Sequence, residues 1–227
     1  MWKQNKAWLI NKHSVSCTLI LRLLVITAVT LLFSIFLVLE RVWADSMIKN
    51  VAVGNIPASV AFNPSNGYTY VTNVYSNTVS VIDGSTNTVI KNIPVGSHPR
   101  GIAFDSDNGN LYIANEGSYT VSVIDGSTNT VIKNIPVGWS PLGAAFDPAN
   151  GNVYITSGTV YVIDGSTNTV IKNIPVGLHP SKVVFDPDSG NVYVTNVYSN
   201  TVSVIDGSTN TVIDTIAIGE WLAAKNS

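Results

Sequence analysis

Cysteine is almost missing from this chain. Cys17 is the only one in 227 residues, and it lies before the long apolar run Leu23–Leu39. No disulfide can form after residue 44, and a lipid-modified cysteine, which would follow such a run, is not there. Charge is also scarce, at 11% of residues, and Glu40, Glu116 and Glu220 are the only glutamates. Neither G-x-S-x-G nor H-E-x-x-H occurs, which removes two common catalytic signatures. Despite many asparagines there is no N-x-Ser/Thr sequon with a permitted middle residue, so N-glycosylation is not expected.

What charge there is divides unevenly. Lys3, Lys6, Lys12, Arg22 and Arg41 precede residue 45, and almost every carboxylate follows it. The acidic remainder repels DNA, RNA and anionic membrane, so no nucleic-acid partner is expected. The basic start leads into "LLVITAVTLLFSIFLVL", and "ERVWADS" then offers Val42 and Ala44 as a small-residue cleavage pattern. Residues 1–44 are expected to form a hydrophobic helix, as a cleaved signal peptide or an uncleaved signal anchor. Either makes the rest extracytoplasmic, secreted or held at the outer side of the membrane by this segment.

The remainder repeats itself. "YVTNVYSNTVSVIDGSTNTVI" runs from Tyr70 to Ile90 and again from Tyr193 to Ile213. "DGSTNTVIKNIPVG" occurs at 83–96, 125–138 and 164–177, and "DGSTNTVIDTIAIG" at 206–219. A period near forty, rich in Val, Ile, Thr and Tyr with Gly, Asn, Asp and Ser between the runs, is that of propeller blades. Each unit reads as four strands, in the first unit 58–63, 68–73, 78–83 and 88–95. Asp83 can bond its own turn amides and Asn87 tolerates a left-handed backbone, so "DGSTN" suits a hairpin. Lys91 and Pro94 suit an outer edge strand, which places the first strand of each unit innermost.

"YVTN" at 70–73 and 193–196, with "YIAN" at 112–115 and "YITS" at 154–157, resembles the YVTN family of β-propeller repeats. The resemblance covers residues 48–219. It implies an all-β toroidal propeller of a kind common among prokaryotic surface proteins, usually with more blades than four. The expected organisation is residues 1–44 as signal or anchor, then 45–219 as propeller, then a tail at 220–227. Blades are expected at about 57–95, 99–137, 141–176 and 180–218, with an extra strand at 48–53. That strand leaves three arrangements open: a closed ring of four blades, an open arc, or a half-ring that dimerises to eight.

Sequence common to every blade builds the frame, so function is sought where blades differ. The "G-x-x-P" and "TNxxSNT" connections share the variable face. Candidate ligand-binding residues there are Tyr75, His98, Arg100, Glu116, Trp139, His179 and Tyr198, with Tyr119 and Asn115 nearby. Aromatics beside Asn and Ser suit sugar or peptide binding. His98 and His179 occupy equivalent positions and are the weak candidates for a metal, although none is expected. No catalytic residue and no cofactor are assigned. "DSDNGN" at 105–110, like Asp186 and Asp188, is explained by hairpin turns without calcium. Blade three is three residues short, so a notch is expected there.

The role expected is a non-catalytic binding or envelope scaffold module, with other propeller chains, as in a homodimer, or envelope protein or glycan as partners. The alternatives are a metal-assisted lyase or hydrolase, for which the resemblance makes His98, Glu116 and His179 the nearest equivalents of propeller-enzyme sites, and a fragment of a longer array.

Overall fold

The computed structural model describes residues 30–31 and 50–218. The chain divides into two compact units, Met1–Asn50 and Val51–Ser227. Of the first, Thr30 and Leu31 are helical. The rest of the expected N-terminal helix lies outside the described residues, as does most of the tail. Among the described residues no helix is long and apolar enough to cross a membrane.

The second unit is four antiparallel four-stranded sheets, each a simple meander. Blade 1 holds β1 (Pro57–Asn63), β2 (Tyr68–Asn73), β3 (Thr78–Asp83) and β4 (Thr88–Pro94). Blade 2 holds β5 (Pro99–Phe104), β6 (Asn110–Asn115), β7 (Thr120–Asp125) and β8 (Thr130–Pro136). Blade 3 holds β9 (Ala144–Asp147), β10 (Asn152–Ser157), β11 (Thr159–Asp164) and β12 (Thr169–Ile174). Blade 4 holds β13 (Pro180–Asp186), β14 (Asn191–Asn196), β15 (Thr201–Asp206) and β16 (Thr211–Ala217). The expected extra strand at 48–53 is corrected in part. Asn50–Val53 are not strand, and 48–49 lie outside the described residues.

First strands pack on first strands, β1 on β5, β5 on β9 and β9 on β13, so they form the inner wall. Fourth strands are sheet edges, where Lys91 and Pro94 are exposed. An edge position costs a proline nothing, because no partner awaits its missing N–H. Each fourth strand carries one bulge, at Ile90, Ile132, Ile171 and Ile213, where pairing skips a residue. The extra residue turns that isoleucine to solvent and leaves the flanking apolar side chains inward.

The core lies between blades rather than within them. Tyr70, Val79, Val81 and Ile93 of blade 1 meet Leu111, Ile113 and Ile124 of blade 2. Equivalent residues fill the next two interfaces. Burying each such aliphatic side chain is worth about 1.5–3 kcal/mol before entropy. Each interface also carries a polar lock. The Tyr70 hydroxyl donates to Asn129 Oδ1 at 2.7 Å, and Asn66 Nδ2 donates to the Gly126 carbonyl at 2.8 Å. Tyr112 with Asn108, and Tyr154 with Asn150, do the same to Asn168 and Gly165 and to Asn210 and Gly207. This is why tyrosine, asparagine and "DGSTN" recur together. Each copy serves a neighbour, not its own blade.

The hairpin turns hold their own carboxylates. Asp83 Oδ1 accepts from the Ser85 amide and hydroxyl, and Asp125, Asp164 and Asp206 repeat this. Bonds from those serine hydroxyls and then from turn amides hold all four below the usual carboxylate range. Asp105 likewise accepts the Asp107 amide, and Asp186 accepts the Asp188 amide and the Ser189 hydroxyl. In the acidic runs at 105–110 and 186–190, Asp105 and Asp186 thus bond their own turns.

Blade 4 does not pack back on blade 1 as the other neighbours do, so the described blades form an open arc. A cavity of about 390 Å³ lies along the inner strands, lined by Ile56–Ser59, Arg100, Leu142, Ser181 and Lys182 from all four blades.

Candidate functional site

Two kinds of connection build the variable face. The "G-x-x-P" loop lies beside the turn after the second strand, with Val74 N bonded to Ile56 O and Gly117 N to Ser97 O. The residue before each proline, Ile56, His98, Ser140 or His179, has φ between 52° and 56°. That left-handed backbone is costly for a branched or bulky side chain, and the ladder bonds on either side enforce it. His98 is further held by Asn77 Oδ1, which accepts its N–H at 2.9 Å.

This geometry sets the loop side chains upright. Tyr119, itself at φ 57°, stacks on Trp139 of the next blade with ring centroids 5.2 Å apart and planes at 28°. Tyr75 faces His98 at 5.9 Å in a tilted arrangement, and His179 stacks on Tyr198 at 4.6 Å and 21°. Arg100 Nε donates to Glu116 Oε2 at 2.7 Å, and Ser140 Oγ donates to Glu116 Oε1 at 3.4 Å. Together Tyr75, His98, Arg100, Glu116, Tyr119 and Trp139 line an open groove of about 430 Å³ across blades 1 to 3.

The shortened blade explains why Trp139 stands clear. In the other blades the residue after the loop glycine donates its N–H to a serine in the adjacent turn, as Asn55 to Ser76, Ser97 to Ser118 and Leu178 to Ser199. In blade 3 the turn is Ser157–Gly158–Thr159, with Gly158 at φ 64°, and that serine is gone. Ser157 Oγ instead donates to the Trp139 carbonyl, and the indole is 77% exposed.

Of the residues singled out in the sequence, Tyr75, His98, Arg100, Glu116 and Trp139 share the groove. His179 and Tyr198 do not line it and pair with each other instead. His98 and His179 therefore sit in separate aromatic pairs. Among the described residues no three His, Cys, Asp or Glu side chains gather closely enough to hold a metal. Asn115 is buried in the frame, where its Nδ2 donates to Ser122 Oγ. Ser140 was missed, and no pattern in its loop marks it as a partner of Glu116.

The model of the choice-of-anchor I domain matches residues 44–226. The chain belongs to this family. With four such blades, the match points to a β-propeller module of a cell-surface protein. The YVTN-like repeats give the domain its blades, while the family model that matches it is this one. No curated protein matches the chain. Among solved structures it is similar to hydrazine synthase of Kuenenia stuttgartiensis, with TM-score 0.68 and 24% identity over 78% of this chain and 53% of that one. It is also similar to the β-propeller domain of Cps50 (Swd1) from Myceliophteria thermophila, with TM-score 0.65 and 14% identity over 76% of this chain and 58% of that one. At these identities the likeness is one of fold. The domain spans a little over half of each of those chains.

Proposed function

We propose that this choice-of-anchor I domain is a non-catalytic binding module of the cell surface, and that its variable-face groove takes a neutral glycan. The observation that carries this is the Tyr119–Trp139 pair, a stacked aromatic platform that leaves the indole 77% exposed beside polar groups. Aromatic rings held open to water beside polar groups suit a binding surface, with one face apolar and hydrogen-bonding groups at its rim. Sugar rings stack their C–H faces on such rings, and neighbouring polar groups then bond the hydroxyls. Arg100 and Glu116 neutralise each other at 2.7 Å, so the groove offers donors and acceptors without net charge. The acidic surface after residue 44 disfavours anionic glycans by the same repulsion that disfavours nucleic acid.

The test is isothermal titration of the full chain with hexasaccharides of glucose, mannose and N-acetylglucosamine. Saturable binding of one of them supports the reading. No binding to any of the three, with binding to an extended peptide instead, would replace the ligand class.

A further inference from the structure

We propose that a second copy of this chain docks head to tail on the first, the leading face of blade 4 against the trailing face of blade 1. Two such contacts would close eight blades into a ring.

The three internal interfaces define what a blade offers its neighbours. The leading face gives a tyrosine, valines and the inward isoleucine of the fourth strand. The trailing face gives the glycine carbonyl and asparagine of "DGSTN" with aliphatic residues of its first three strands. Both halves recur at the ends of the arc, where no other described blade packs on them. On blade 4, Ile216 is 43% exposed where its equivalents Ile93, Ile135 and Ile174 are 3–4% exposed, and Val184 is 58% exposed. Among the described residues the Tyr193 hydroxyl finds no counterpart of the asparagine that Tyr70, Tyr112 and Tyr154 each find. On blade 1, Val60 and Phe62 are 64% and 56% exposed, and Gly84 is exposed where Gly126, Gly165 and Gly207 are buried. Among the described residues Tyr193 therefore lacks the acceptor that Asn87 presents, and the apolar rows on the two faces are the two halves of one repeated interface. A partner of unrelated shape would have to reproduce that spacing; a second copy already has it.

The end faces depart from the internal pattern at Val184 itself, which stands where Ala61, Ala103 and Ala145 stand, and at three further positions. Thr69 stands where Leu111, Val153 and Val192 stand, Ser189 where Asn66, Asn108 and Asn150 stand, and Asp214 where Lys133 and Lys172 donate to Thr167 and Thr209 carbonyls. Each weakens the contact, so the association is reversible rather than permanent. Asp214 in particular would face the Thr86 carbonyl of the other copy, one acceptor against another.

Sedimentation equilibrium of the full chain in a density-matched mild detergent tests this. Wild type is expected at twice the chain mass at about 10 µM. Val184→Glu is expected to run as a monomer with unchanged circular dichroism, while Ile213→Glu on the outer edge leaves the dimer intact. Asp214→Lys is expected to tighten the dimer at least tenfold by restoring the missing donor. A wild-type monomer at about 100 µM overturns the proposal. So does a dimer indifferent to Val184→Glu, which would pair through another surface.

Discussion

The hydroxyl of Tyr112 donates to Oδ1 of Asn168, 2.7 Å away and in the next blade. The same hydroxyl lies 3.2 Å from the Gly165 carbonyl, in a place fully closed to solvent. This one contact joins a strand in the middle of one blade to the turn of another and shows what the repeat is for. Tyr112→Phe leaves the half-buried Asn168 Oδ1 without its tyrosine donor while the Gly165 carbonyl keeps Asn108 Nδ2, which is expected to cost about 1–2 kcal/mol. Urea unfolding measures it, with an unchanged m-value if the fold persists.

Burial also pushes the Tyr112 phenol from 10.0 up to about 12. Between those values the unfolded chain has released the proton and the folded chain keeps it. Stability conferred by the neutral phenol is therefore complete below about pH 10 and falls as pH rises toward 12. Stability measured against pH in the alkaline range should drop less steeply in Tyr112→Phe than in wild type.

Asp105 and Asp147 behave in the opposite sense to the exposed turn aspartates. Burial pushes both above the usual carboxylate range, against the turn amides that bond them. Their charged forms cost stability at neutral pH, and the cost fades as pH falls through the folded value. Blade 1 already uses Asn63 at this position, where Oδ1 accepts the Ser65 amide at 2.9 Å. Asp105→Asn is expected to raise the melting temperature at pH 7 and to lose that advantage near pH 4. A variant less stable than wild type at pH 7 would contradict this account.

The frame should distinguish its two kinds of isoleucine. Ile155 is fully buried between blades 2 and 3, and Ile155→Ala is expected to cost about 2–5 kcal/mol. Ile171 sits on the bulge of β12, facing solvent, and Ile171→Ala should stay within about 0.5 kcal/mol of wild type. Thermal unfolding of both in parallel checks the inward and outward assignment.

The strands were legible because alternation and turn chemistry are local. Asn87 at φ 51° and the Asp83 turn bonds are what "DGSTN" announces. The tyrosine locks were not legible, because Tyr70 and Asn129 lie 59 residues apart and nothing in either motif names the other. The left-handed Ile56 before Pro57 was hidden too, since residue preference argues against it and only the surrounding ladder holds it there. At the candidate site the variable residues were found by difference between repeats. Their grouping into one groove, with His179 and Tyr198 left outside, depends on blade curvature. That curvature arises from contacts between blades rather than from any one unit.

On the proposed reading, blade differences, and above all the exposed Trp139, carry binding while the repeats carry the fold. The direct measurement is titration of the full chain and of Trp139→Ala with whichever neutral hexasaccharide binds best. The variant is expected to bind at least tenfold more weakly, by about 1.4 kcal/mol, with a melting temperature unchanged from wild type. Equal affinity in the variant would contradict that reading and move the binding surface away from the groove.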